Sequence, residues 1–186
     1  AVGNSLRVSV CPTANAYEST LSGTLVFSNN STTVQGIGAT AFTTQITVGD
    51  ILLAGPDKIE VKVASITDAN TLVLQSKYVG NSSPAGGVTT TRRWEFYNYF
   101  DSSPGTSGES SRYGGSNDEM HIVVVDRTGL ISGTANTVIE RFPALSKATF
   151  SHSENGTNIY YKDYINRNSN WIWWAAHPLE IGRAHV

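Results

Sequence analysis

The run His121-Ile-Val-Val-Val-Asp126 constrains this chain more than any other segment. A strand with one wet face alternates apolar and polar residues. Ile122 to Val125 are apolar without a break, which predicts a central strand covered on both faces. Such a strand needs a neighbour on each side. Leu6-Arg-Val-Ser-Val10 alternates, is closed by Pro12, and has no obvious hairpin partner nearby. The 24–78 stretch between these two strands then reads as an insertion into a loop of one parent domain.

The intervening chain has the rhythm of a small all-β module. Leu25-Val-Phe27, Thr33 to Ile37, Ile51 to Leu53, Lys58 to Val63 and Leu72 to Leu74 are short β-prone runs. The turn signals Asn29-Asn-Ser31, Gly49-Asp50 and Asp68-Ala-Asn70 lie among them. Ile59, Val61 and Val63 share one face. This spacing predicts a barrel or sandwich over residues 24–78. Residues 13–22 read as a linker and Asn81 to Gly87 as a boundary. Val88 to Phe100 is a β-prone run carrying Trp94 and Phe96. Residues 101–117, rich in Ser, Gly and Pro, read as an exposed loop. Thr137 to Phe142 is a strand candidate ended by Pro143. One short helix is expected near 158–166, and a final strand at Asn170 to Trp174. The expected fold is therefore α+β and β-rich. A parent sheet domain on 1–22 and 88–180, incomplete at both ends, carries the inserted 24–78 module.

Both ends read as cuts. The chain starts at Ala1 without a methionine. Ile181-Gly-Arg-Ala-His-Val186 matches the read-through of a sequencing adapter, so residues 181–186 are set aside as an artefactual tail.

Charged residues make up 15% of the chain, below the roughly 25% of ordinary soluble domains. Aromatics at 10% argue against disorder. The net charge of −2 leaves no basic patch beyond Arg92-Arg93, so no nucleic-acid partner is expected. No apolar run is long enough to predict membrane insertion. The single Cys11 excludes an internal disulfide and points to a reducing compartment.

No catalytic, cofactor-binding or metal residue is expected, and the chain does not read as an enzyme. His121, His152 and His177 lack the spacing of metal ligands. Cys11 has no context that would activate a thiol. Asp118-Glu119 and the Glu140-Arg141 pair read as exposed charges or interstrand ion pairs. Gly36-Ile-Gly38 lies within a strand run, which is the wrong context for phosphate binding. Asn30, Asn81 and Asn155 head glycosylation sequons of a kind that chance supplies in such a composition. Trp171 and Trp173 are expected on one strand face and Trp174 on the other. They would serve as core, subunit contact or sugar platform.

The words Asp118-Glu-Met-His-Ile-Val-Val-Val-Asp126, Gly129, Gly133-Thr134, Val138-Ile-Glu-Arg-Phe142 and Leu145-Ser-Lys147 stand in fixed order. Glu154-Asn-Gly156, Asn158, Tyr160-Tyr-Lys-Asp163, Ile165-Asn166, Ser169 and Trp171 to Trp173 continue it. In this order the segment resembles the tail sheath protein of contractile-tailed bacteriophages (myoviruses). Gly3 to Val10 is similar to the strand upstream of that region. Gly36 to Phe42 with Val48 to Ile51 is similar to small β-modules that decorate phage structural proteins. The resemblance implies a virion structural subunit assembled in the bacterial host cytoplasm. It would wind helically around the tail tube and contract to drive the tube into the host envelope. Its partners would be neighbouring sheath subunits, the tail tube protein and the baseplate, with no cofactor. Neighbours would be linked by exchanged strands. The 24–78 module would be a decoration whose loss spares assembly. The alternative is a carbohydrate-binding or depolymerising β-protein of a tail fibre.

Overall fold

The computed structural model describes residues 5–149 and 151–175. His177 and residues 181–186 lie outside the described residues. The strands in chain order are β1 (Leu6–Cys11), β2 (Glu18–Thr20), β3 (Thr24–Val26), β4 (Thr33–Ile37) and β5 (Ile51–Ala54). They continue as β6 (Ile59–Ile66), β7 (Thr71–Leu74), β8 (Thr91–Arg93), β9 (Glu119–Asp126) and β10 (Thr137–Ser146). The helices are short: α1 (Ala14–Tyr17), α2 (Phe42–Gln45), α3 (Gly108–Arg112) and α4 (Tyr161–Asn168). The chain is β-rich and forms two compact units. One runs to Pro12 and resumes at Pro104; the other is Thr13–Ser103.

The first unit holds a three-stranded antiparallel sheet in the order β1-β9-β10. The all-apolar run sits in the middle strand, where Val123, Val124 and Val125 are fully buried. Strand β1 is set by Val8 opposite Val124 and Cys11 opposite His121. On one sheet face Met120, Ile122, Val124, Phe142 and Leu145 form a core with Tyr161 and Ile165 of α4. Tyr161 and Ile165 are four apart and share one helix face. Burying each such side chain contributes about 1.5–3 kcal/mol. The helix starts later than expected because the Asn158 side chain accepts the Tyr160 N–H at 2.8 Å. Ile159 meanwhile gives its carbonyl to Ser146 N–H at 2.8 Å. Residues 158–160 are thereby extended.

Pro143 does not end β10, contrary to expectation. β10 is an outermost strand, where a missing N–H is tolerated, and the register shifts between Phe142 and Leu145. Within this bulge Ala144 has φ 47° and donates its N–H to His121 Nδ1 at 2.9 Å.

The second unit is a seven-stranded antiparallel sheet in the order β2-β8-β5-β6-β7-β4-β3. Its ends meet: Leu25 and Val88 exchange both backbone hydrogen bonds at 2.9 Å, and Leu21 N–H reaches Thr90 O at 3.0 Å. The sheet therefore closes into a small barrel around Leu25, Phe27, Val34, Phe42, Leu52, Leu72 and Tyr78. Closure needs residues 88–93, so this unit is wider than the 24–78 module, and Val88 to Phe100 belongs to it rather than to the parent. Residues 13–22 are not a bare linker. Thr13 caps α1 by accepting Ala16 N–H at 3.2 Å, and β2 pairs with β8. The one-turn helix α2, unforeseen in a run read as strands, carries Phe42 into the core.

Tyr78 is 1% exposed and its hydroxyl donates to Asn81 O at 3.1 Å. That hydroxyl occupies space available only beside glycine. A Cβ on Gly55, at φ +64°, would lie 2.0 Å from Tyr78 Oη. Gly55→Ala is expected to cost about 2 kcal/mol or more, combining left-handed strain with overpacking. Gly86→Ala, with nothing within 4 Å of its Cβ, should stay within about 0.5 kcal/mol of the parent in urea unfolding.

Candidate functional site

Each end of β9 is fixed by a buried carboxylate. Asp126 is fully buried at the start of the β9–β10 connection. It accepts Gly129 N–H at 2.9 Å, Ile131 N–H at 2.8 Å, Ser132 N–H at 2.8 Å and the Ser132 hydroxyl at 3.0 Å. Burial pushes its carboxyl up, but the Ser132, Ile131 and Gly129 donors outweigh this and hold it down at about 2. Gly129, at φ +78°, has no room for a Cβ, which would lie 2.8 Å from Ala135 N. The result is an ordered loop whose outermost large side chain, Leu130, is 77% exposed.

At the other end, Asp118 lies among Ser107, Ser146 and Ser151, all buried. Ser107 donates to it through N–H at 2.9 Å and through its hydroxyl at 2.7 Å, and the Ser146 hydroxyl also donates. Burial raises the Asp118 carboxyl, and the Ser146 and Ser107 donors bring it below the usual range. Ser107 also caps α3, accepting Ser110 N–H at 3.2 Å. Residues 104–117 are thus no simple exposed loop: Pro104 and Ser107 are buried and α3 is anchored.

Clefts open around α3. One of about 400 Å³ is lined by Glu109, Ser110, Tyr113, Gly115, Ala148 and Thr149. Another of about 380 Å³ brings Glu119, His152 and Glu154 to the β10 bulge. This gathers His152 and Glu119, which the sequence left unrelated. The Ser107 hydroxyl on the wall of this cleft is committed to Asp118. Among the described residues no group of three or more His, Cys, Asp or Glu is placed to hold a metal ion.

The tryptophans do not form a strand. Glu140 accepts the Ser169 hydroxyl at 2.5 Å and Asn170 N–H at 2.7 Å. Ser169 Oγ accepts Trp171 N–H at 3.1 Å and Ile172 N–H at 3.0 Å. The Asn166 amide accepts Trp174 N–H at 2.6 Å and donates to its carbonyl at 3.1 Å. Side chains thus satisfy backbone groups that a strand would have paired, and the segment is irregular. Trp173 is 67% exposed, while Trp174 packs edge-on against Tyr161. Glu140 is a clamp on residues distant in sequence, which no local pattern announces. On β1, an outermost strand among the described residues, Val8 and Val10 are about half exposed.

The remaining candidates are structural. Cys11 is buried opposite His121. Gly36 lies in β4, where a Cβ would meet Thr40 Oγ1 at 2.6 Å. Arg93 is bound by Glu18 at 2.5 Å and Glu60 at 2.9 Å, and Arg92 faces Asp50 at 3.6 Å, so the pair forms no open basic patch. Of the sequon asparagines, Asn30 sits in a turn at φ 65°, Asn81 bonds Asp57, and Asn155 is exposed. Among the described residues no helix is long and apolar enough to cross a membrane. No family model, curated protein or solved structure matches the chain.

Two outcomes follow. Asp126→Asn should destabilise the protein at neutral pH. Because the folded carboxyl titrates below its ordinary value near 3.9, its contribution is complete above about pH 4 and fades as pH falls toward 2. Urea midpoints of parent and variant should therefore converge in that window. Glu140→Ala should free residues 169–172, read as a red-shifted and more quenchable tryptophan emission.

Proposed function

We propose that this chain is a structural subunit of a contractile bacteriophage tail sheath. It assembles helically with copies of itself around the tail tube and contracts when the baseplate releases it. The observation that carries this reading is where the resembling words fall. Residues 118–126 are β9 with both of its capping carboxylates, Gly129 closes the Asp126 loop, and Glu140 and Ser169 are the two halves of one clamp. The word order thus coincides with the joints of the first unit. Among the described residues β1 is an outermost strand with Val8 and Val10 exposed, which supports strand addition by a neighbouring subunit. On this reading the partners are neighbouring subunits, the tail tube protein and the baseplate, and the location is the virion tail. The exposed Trp171 and Trp173 favour a second reading, glycan binding by a tail-fibre protein.

Negative-stain electron microscopy of the protein expressed from its complete reading frame tests the proposal. Hollow tubes with a helical repeat are expected. Particles that stay monodisperse at every concentration would overturn it. The Val8→Lys/Val10→Lys double variant should keep its circular dichroism and lose the tubes.

A further inference from the structure

The loop tip between His152 and Asn158, which form an antiparallel bridge, carries Asn155-Gly156. Nowhere else in the chain does glycine follow asparagine. Gly156 N–H donates to Ser153 O at 2.8 Å, and neither Glu154 nor Asn155 has a positive φ, so Ser153 to Gly156 form a type I turn. Asn155 is exposed, and among the described residues nothing bonds its side-chain amide. The position that a Cβ on Gly156 would take has nothing within 4 Å.

Other asparagines are held. Asn81 donates to Asp57 at 3.1 Å, Asn158 to Asp163 at 3.0 Å, Asn29 to the Gly80 carbonyl at 2.9 Å and Asn166 to the Trp174 carbonyl at 3.1 Å. A held amide does not readily turn its carbonyl carbon toward the next backbone nitrogen. A side chain on the following residue screens that nitrogen, and glycine has none. Asn155 escapes both restraints.

We propose that Asn155 is a self-modification site, losing its amide through the backbone of Gly156. Base takes the Gly156 N–H proton, and the nitrogen attacks Asn155 Cγ. A C–N bond forms and closes a cyclic imide. The side-chain nitrogen leaves with a proton as ammonia. Water then opens the ring at either carbonyl, giving aspartate or isoaspartate. Water enters and ammonia leaves in equal number, so no oxidant or reductant takes part. The turn sets the pace, because Gly156 N–H must release Ser153 O first and the attack proceeds from the locally opened loop.

The product carboxylate stands beside Glu154, on a cleft of about 280 Å³ whose walls also include Glu109, Arg112 and His152. Isoaspartate further lengthens the main chain within the turn, which disturbs the 2.9 Å bond from Ser153 N–H to Thr157 O. The charge of this cleft thus changes with age and without an enzyme. The site rests on the chain's own chemistry and stands or falls apart from the sheath reading.

The folded protein is held at mildly alkaline pH, and its peptides are mapped by mass spectrometry at intervals. Conversion of Asn155 to the acid is expected ahead of every other asparagine. In urea it should be several-fold faster, because the bond to Ser153 is gone. An isoaspartate-specific methyltransferase should label the aged parent and not aged Asn155→Gln, whose longer side chain closes a larger ring more slowly. Asn155 that stays an amide in the folded protein, while the unfolded chain converts, overturns the proposal, since the turn is then a shield. Failure to convert in either state overturns it as well. So does equal conversion in the folded protein at Asn136, which Thr137 follows.

Discussion

β9 has no face that tolerates water, and the first unit is arranged around that constraint. A strand of Ile122, Val123, Val124 and Val125 must be paired along both edges and covered on both sides. Its hairpin partner β10 is close in sequence. The partner on its other edge is β1, which the chain supplies before the whole second unit has been made. Insertion is compatible with this pairing because the second unit closes on itself. The Leu25–Val88 bonds seal the barrel, so it presents its own core and needs no strand from the sheet that it interrupts.

A strand buried to its tips needs its polar ends resolved as well. Asp118 and Asp126 do this in the same way, each as an ionised group surrounded by hydroxyl and amide donors. Such a carboxylate is costly to desolvate, and the donors offset that cost only when the surrounding backbone is fixed. Both carboxylates therefore order the connections beside them. One orders the loop that displays Leu130, and the other anchors α3 and the clefts around it. In this way the packing of the core is converted into defined surfaces at both ends of one strand.

The sequence exposed much of this and concealed the rest for identifiable reasons. The central strand, the interrupted parent and the barrel-like rhythm were legible because apolar periodicity reports burial directly. The barrel's true extent was not, because closure depends on Val88 meeting Leu25, a contact with no local signature. Pro143 misled for a related reason. Proline reads as a terminator, yet an outermost strand with a bulge accommodates it, and His121 completes the bulge from the neighbouring strand. The tryptophans looked like a strand because alternation was the only cue. Glu140, Asn166 and Ser169 then took the backbone partners that a strand would have used.

The sequence by itself determined most of the longer strands, that one of them has no wet face, and that an insertion separates it from its partner. These follow from residue periodicity, which acts over a few neighbours. Only the tertiary structure decided where the barrel closes, which carboxylates are buried and ionised, and which apolar side chains remain outside. Those outcomes depend on contacts between residues far apart in the chain. Asp118, Asp126, Glu140 and Leu130 carry no local mark that separates a structural joint from an ordinary surface residue.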